Sequence, residues 1–403
     1  MTGDLVLGLG GCVDYEITWD AAVLQHLAQQ YTIGVQEVSP SVEVRTERDL
    51  ICSILGFLRE GAGGERYVGA SSVVEQFAAR SRYTVALGGS NVRAALAMSR
   101  LGVGGRLHLV SVDDHVRRLL PDDVGYVCSA PADSTDPHLI VQYPAGACVR
   151  VGGHELRAPR GNRLIYVNDR PNGELALSPA LGEMLCTAGI FLISGFNAMR
   201  DSALLARRLV ELRGHLERLP ELATVIYEDA EFHVPLLARQ VHEALADRID
   251  LWGMNEDELQ AHVGRRVDLL DPDDVASALG QLRRVVRARN VVVHTATWAL
   301  AAGRDGQALR RPLWGALREA LQGGIVMAGA RYLHGDAFTR AQHEDTARRA
   351  RQDAGERFAR ELEARMPGRV CCEPALQLEA QRPTTVGLGD AFVGGFIAAL
   401  AGR

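Results

Sequence analysis

The sequence predicts an α/β protein built on a largely parallel sheet, with a small β-rich lid. Three observations carry that expectation. Short apolar runs alternate with longer amphipathic stretches along the 403 residues, the pattern of a sheet with crossover helices. From residue 180 onward the strand-helix alternation is regular, so right-handed parallel crossovers are expected. Two early regions, 31–45 and 138–167, instead show period-two alternation broken by Gly, Pro and Asn.

Strands are expected at 5–9, 107–111, 190–194, 224–227, 248–252, 291–294 and 325–328. Helical patterns occupy 91–100, 203–216, 235–246, 256–263 and 275–288. Runs 139–143 and 148–151, joined across Pro144-Ala-Gly146, read as a hairpin. Strands without intervening helices, set into an α/β chain, predict a small sheet that covers a site. The lid is therefore expected from roughly 31–75 and 135–175, discontinuous within one domain spanning 1–403. The charged stretch 340–365 mixes both signs and reads as a solvated amphipathic helix.

Composition removes whole chemistries. All 44 Lys+Arg positions are arginine, against 50 Asp+Glu, for a net charge of −6. Without lysine there is no Schiff base, no P-loop ending in Gly-Lys-Ser/Thr and no strand lysine of the protein-kinase type. Phosphate would have to meet arginine, backbone N–H groups and helix N-termini. The acidic balance argues against nucleic acid as a partner. Seven cysteines, with Cys371 and Cys372 adjacent and no CxxC, read as reduced thiols. The opening Met-Thr-Gly-Asp lacks a basic leader, and the apolar stretch 181–199 is interrupted by Glu183 and Asn197. A cytoplasmic protein that does not span a membrane is expected.

The segment richest in chemistry is Val386-Gly-Leu-Gly-Asp390, after two threonines and before an apolar run. Paired glycines and an aspartate there mark a tight loop that opens a helix. N–H groups of residues 387–390 would point at an anion, aided by the helix dipole. Asp390 would serve equally as an ordinary N-cap, and on physics alone both readings stand. Asn255-Glu-Asp-Glu258 follows a strand and starts a helix, as a capping sequence or as a hard-cation site. Gly8-Leu-Gly-Gly-Cys-Val-Asp14 follows the first strand, but Val13 replaces the third glycine of a dinucleotide fingerprint. An oxidoreductase is thereby disfavoured. Leu87-Gly-Gly-Ser-Asn91 opens the first long helix, with an N-cap at Ser90 or Asn91 as the simple reading.

Taken in order, these motifs resemble the ribokinase-like superfamily, and the wording Thr385-Val-Gly-Leu-Gly-Asp390 is closest to the ADP-dependent sugar kinases, the glucokinase and phosphofructokinase group. The resemblance implies a three-layer α/β/α kinase with Asp390 as catalytic base and Gly387, Leu388 and Gly389 as the anion hole. It implies that Asp14, Gly88, Gly89 and Asn91 bind the hydroxyl-bearing substrate. His294, Thr295 and Val386 would border the nucleotide. Glu258, with Asn255 in support and Glu228 as a second candidate, would organise Mg²⁺ through coordinated water. The segment 158–165 is similar to a lid segment of the same group. Ile226 departs from the family, occupying the histidine position of a His-x-Glu pattern whose glutamate is Glu228.

The expected activity is transfer of a phosphoryl group to a sugar or sugar-phosphate hydroxyl, with ADP the favoured donor and AMP the product. An ATP-dependent sugar or nucleoside kinase shares the same base and anion hole. The Ile226 departure keeps open a sugar- or nucleotide-binding protein without catalysis. A phosphorylated acceptor would need Arg93, Arg160 or Arg163 as its cation. The motifs leave oligomeric state open.

Overall fold

The computed structural model describes residues 3–134, 136–232, 234–303, 311–380 and 386–402. Among them, nine strands form the main sheet. From one edge it runs Val124–Cys128, Gly105–Leu109, Asp4–Leu7, Ala188–Ile193, Thr224–Glu228, Leu251–Asn255 and Asn290–His294, all parallel. Trp298–Gly303 and Val370–Pro374 complete it antiparallel. Alternate residues face different cores: Val6, Phe191 and Ile193 one, Leu5, Leu7, Ile190 and Leu192 the other. Burial on both faces explains why these strands read as continuous apolar runs. Helices pack on each face, which is the three-layer α/β/α arrangement.

A second sheet has the order Gly64–Tyr67, Asn162–Val167, His138–Tyr143, Cys12–Ile17, Tyr83–Gly88. Helices Ala21–Gln30, Glu47–Glu60 and Ser71–Ala78 cover one face of it over a core of its own. It draws on more of the chain than the two early stretches, because Cys12–Ile17 and Tyr83–Gly88 pair within it in register, Asp14 opposite Ala86. The residues that follow the first main-sheet strand thus cross directly into the second sheet.

Four local expectations are corrected. Run 148–151 pairs with His154–Arg157 and not with 139–143. Gly152 and Gly153, at φ +55° and +82°, supply the left-handed two-residue turn, which leaves His138–Tyr143 to pair with Asn162–Val167. Region 31–45 is not a strand; it holds one 3-10 turn, Val35–Glu37. Its buried residues Ile33, Val38 and Val44 fall five and six apart, so they enter the core singly. Residues 325–328 lie inside the helix Arg311–His334, a confusion inherent in short apolar runs that are buried either way. Stretch 340–365 is two helices, Arg340–Ala347 and Asp353–Arg365. The break bonds to a neighbouring segment, with Gln352 N donating to Ala375 O at 2.9 Å and Gln377 N to Ala350 O at 2.8 Å.

No helix among the described residues is long and apolar enough to cross a membrane. The helix Leu388–Leu400 is apolar nearly all round and buried, the condition for a central helix. It carries Asp390 to the cleft between the two sheets.

Candidate active site

Asp14 lies buried on the strand Cys12–Ile17, its Oδ2 accepting from Arg93 Nη2 at 2.6 Å. A Cβ at Gly88 would stand 2.5 Å from that same oxygen, so glycine there makes room for the carboxylate. His138 Nδ1 is 3.7 Å from Asp14 Oδ1, and its Nε2 is 3.0 Å from Asp169 Oδ2. Burial opposes charge on His138, yet Cys12 and Asp169 hold it well above its ordinary value. Burial likewise opposes Arg93, whose charge Asp14 and Asp390 reinforce, raising it. Asn91 ties the first loop, its Nδ2 donating to Gly10 O at 2.9 Å, while its buried Oδ1 has no partner among the described residues. Neither Ser90 nor Asn91 is a side-chain cap; the helix Ser90–Ser99 starts from Gly89 without one.

These groups line a cavity of about 280 Å³ between the sheets, which also admits Gly387 and Asp390. Arg163 and Arg200 reach it from the second sheet and from the loop after Phe196–Ala198. Neither is paired with a carboxylate among the described residues. The Arg200 guanidinium lies over the Tyr67 ring, 4.4 Å from its centroid. Burial and the Arg93 charge lower Arg163. Of the arginines considered from sequence, Arg93 is committed to Asp14, and Arg160 Nε donates to Gly61 O at 2.8 Å outside this cavity.

A second cavity, about 470 Å³, is lined by Asn255, His294, Thr295, Tyr332, Leu388 and Gly389 among others. The loop at 387–390 therefore stands between the two, Gly387 and Asp390 facing one space, Leu388 and Gly389 the other. Gly387 has φ +65° and ψ +25° and starts the helix, so Asp390 sits in its first turn and is not the cap. Left-handed backbone explains the glycine. Val386 borders the first cavity, not the second, and its carbonyl accepts from Arg331 Nε at 2.7 Å. Burial, then the neighbouring Arg93, lowers Arg331 to about 10. Thr384 and Thr385 lie outside the described residues.

Next to the second cavity two acids are gathered. Glu228 Oε1 is 3.0 Å from His294 Nε2. Between their strands runs Leu251–Asn255, where Gly253 pairs with Glu228 and a Cβ would stand 2.0 Å from Glu228 Oε2. The bare glycine lets the pair bond across it. Ile226, buried on the same strand, is core, so the histidine partner of Glu228 comes from the strand Asn290–His294. Burial opposes His294, but Glu228 raises it; burial raises Glu228 as well. Asn255 and Glu258 form a reciprocal capping box, with Asn255 N donating to Glu258 Oε2 at 2.8 Å. Burial, then the Glu228 charge, pushes Glu258 up to about 8. Two neighbouring carboxylates, one of which raises the other's proton affinity, are chemically suited to a hard cation. They do not join a third ligating side chain in any tight group among the described residues, which fits contact through water rather than a protein cage.

The whole chain matches one family description. Residues 3–398 fit the model of the ADP-specific phosphofructokinase/glucokinase conserved region. The chain belongs to that family. As an ADP-dependent phosphofructokinase/glucokinase relative it is a sugar kinase, a phosphotransferase with a hydroxyl acceptor. Its fold is similar to a hypothetical ADP-dependent phosphofructokinase of Pyrococcus horikoshii OT3, at 17% identity and TM-score 0.80 over 99% of this chain and 97% of that one. It is similar to the last common ancestor of ADP-dependent phosphofructokinases from Methanosarcinales, at 14% identity and TM-score 0.77 over 100% and 94%. An ADP-dependent kinase in complex with fructose-6-phosphate and ADPβS shares the fold at 13% identity and TM-score 0.71 over 98% and 93%. No curated protein matches the chain.

Within this ADP-dependent kinase, Asp14, Gly89, Asn91, Gly387 and Asp390 meet at one cavity, and His294, Thr295, Asn255, Leu388 and Gly389 at the other. Sequence reading missed His138, Asp169, Arg200 and Arg331. Each stands alone in an unremarkable stretch, and no local pattern marks it.

Proposed function

We propose that this kinase transfers the β-phosphoryl group of ADP to a hydroxyl of a phosphorylated sugar of the fructose 6-phosphate class. The placement of the loop 387–390 between the two cavities carries the reading. A donor in the cavity of His294 and Thr295 and an acceptor in that of Asp14 would meet only there. Asp390 accepts the proton of the attacking hydroxyl. The N–H groups of Gly387, Leu388 and Gly389 hold the charge of the transferring oxygens. Asp14, held in place by Arg93, orients the acceptor. Arg163 and Arg200, which pair with no carboxylate among the described residues, meet the acceptor's own phosphate.

Glu228, Glu258 and Asn255 fit a Mg²⁺ ion held through its water shell. Such an ion supplies charge neutralisation for the diphosphate when bound. The second sheet serves as the lid, excluding water that would otherwise accept the phosphoryl group. The seven free cysteines suit a reducing cytoplasm.

The test is a matrix of ADP and ATP against fructose 6-phosphate, glucose and nucleosides with Mg²⁺, scoring released nucleotide. AMP release with ADP and fructose 6-phosphate is expected. Turnover with glucose but none with the sugar phosphate would overturn the role given to Arg163 and Arg200.

A further inference from the structure

Behind the cleft, three elements bring a second set of ligating side chains together. Asp229 directly follows the strand Thr224–Glu228, His242 lies on the helix Pro235–Leu245, and His262 lies in the last turn of the helix Glu256–Val263. One ligand atom from each lies within 4.8 Å of the others. We propose that Asp229, His242 and His262 bind Zn²⁺, clamping both helices to the end of that strand.

Two imidazoles and one carboxylate are a donor set that zinc takes, with a fourth position left to water. An independent observation points the same way. His242 is 5% exposed, and its Nε2 is buried with no hydrogen-bond partner among the described residues. That nitrogen lies 3.9 Å from Asp229 Oδ2, while His262 Nε2 lies 2.6 Å from the same oxygen. Ligands at zinc distances in a tetrahedron stand about 3.3 Å apart, so the two separations bracket the required one. Shifts of about 0.6–0.7 Å bring both ring nitrogens to that separation from the carboxylate oxygen. An orphaned polar atom in the interior is costly, and a metal bond would satisfy it.

The surroundings have the form of an outer shell. Trp252 Nε1 donates to Asp229 Oδ2 at 3.2 Å, and Ala230 N donates to Oδ1 at 2.9 Å. These bonds fix the carboxylate, as metal-binding groups are commonly fixed by their neighbours. The Trp252 ring meets His242 edge-on at 4.5 Å and bars it from turning away. No arginine pairs with Asp229 among the described residues. In that respect it differs from the group of Cys12, Asp14 and His138, whose ligand atoms also cluster. There Asp14 is already bound to Arg93 at 2.6 Å, and the guanidinium repels a second cation.

The consequence concerns the helix Glu256–Val263. Its first turn bears Glu258 and its last bears His262, while Asp229 is bonded in sequence to Glu228. A metal clamp would hold the two acids of the cleft at a set separation. That effect on turnover rests on the kinase reading; the binding itself does not.

The test uses the full-length protein, stripped with a chelator and without nucleotide or sugar. Zn²⁺ is titrated by calorimetry and Co²⁺ by its visible absorption, with melting temperature followed in parallel. One equivalent is expected to bind and to raise the melting temperature. His242→Ala and His262→Gln should each weaken binding about 100-fold, whereas Cys12→Ser should leave it intact. No binding to the wild type would overturn the proposal, and that result does not require either histidine variant to fold. Binding that survives both histidine variants, or is lost in Cys12→Ser, would overturn it equally. A protein that binds Zn²⁺ as expected yet shows no kinase activity would refute the functional reading alone.

Discussion

Replacing Gly387 by alanine tests the loop most directly, because two separate costs fall on one atom. The residue has φ +65°, where an alanine pays about 1–2 kcal/mol relative to glycine. Its new Cβ would stand 2.9 Å from Arg93 Nη1 and 3.0 Å from Arg331 Nη2. Neither arginine is free to yield, since Arg93 is held by Asp14 at 2.6 Å and Arg331 by Val386 O at 2.7 Å. Losing the second of those bonds costs about 1 kcal/mol. The sum is about 2–3 kcal/mol of stability. Relief by rotation of the loop would misdirect a proposed anion-hole donor, lowering kcat by about 10²–10³. Gly389→Ala is the contrast, because its Cβ would meet only His294 Cε1, at 3.3 Å, and should cost little stability. Melting temperature and steady-state kcat with ADP and fructose 6-phosphate decide the matter. A Gly387→Ala protein that melts like the wild type, with kcat within about twofold, would refute both the strain and the anion hole.

Asp390→Asn should lower kcat by about 100-fold or more while leaving acceptor affinity nearly unchanged; near-normal turnover would remove it as the base. Arg163→Ala and Arg200→Ala should each raise KM for the sugar phosphate by about tenfold or more, measured in initial-rate assays, with KM for ADP unmoved. Stability should also depend on pH through His108, whose ring is fully buried and accepts from Ser178 N at 2.9 Å. Burial, with the His215 charge, lowers it from 6.5 to about 4. The unfolded chain therefore binds the proton first as pH falls, and stability present above about 6.5 drains away toward about 4, by about 3 kcal/mol. His108→Gln keeps an acceptor for Ser178 and should flatten that part of a denaturation profile; an unchanged slope would count against the assignment.

Much of the architecture could be read because it is written locally. Strands buried on both faces give unbroken apolar runs, and the helices between them keep their own period. The loop at 387–390 was legible for the same reason: paired glycines before an aspartate and an apolar helix describe a backbone shape that few other sequences need. Reading failed where an apolar run had two equivalent homes. Residues 325–328 suit a strand as well as a buried helix, and only packing against Leu388–Leu400 chose. The hairpin partner of 148–151 was decided by Gly152-Gly153, a turn signal that competed with Pro144-Ala-Gly146.

The sequence by itself determined the fold class, the base candidate and the absence of any lysine for phosphate. What tertiary structure decided is which arginines meet a carboxylate. Arg93 and Asp14 are 79 residues apart and meet at 2.6 Å; Arg163 and Arg200 come from different elements, line one cavity and meet no carboxylate among the described residues. The same holds for Glu228 and His294, 66 residues apart and joined across a strand that carries glycine where they pass. Charge is a property of a residue, but whether that charge is neutralised or left for a ligand depends on neighbours that the chain supplies from afar.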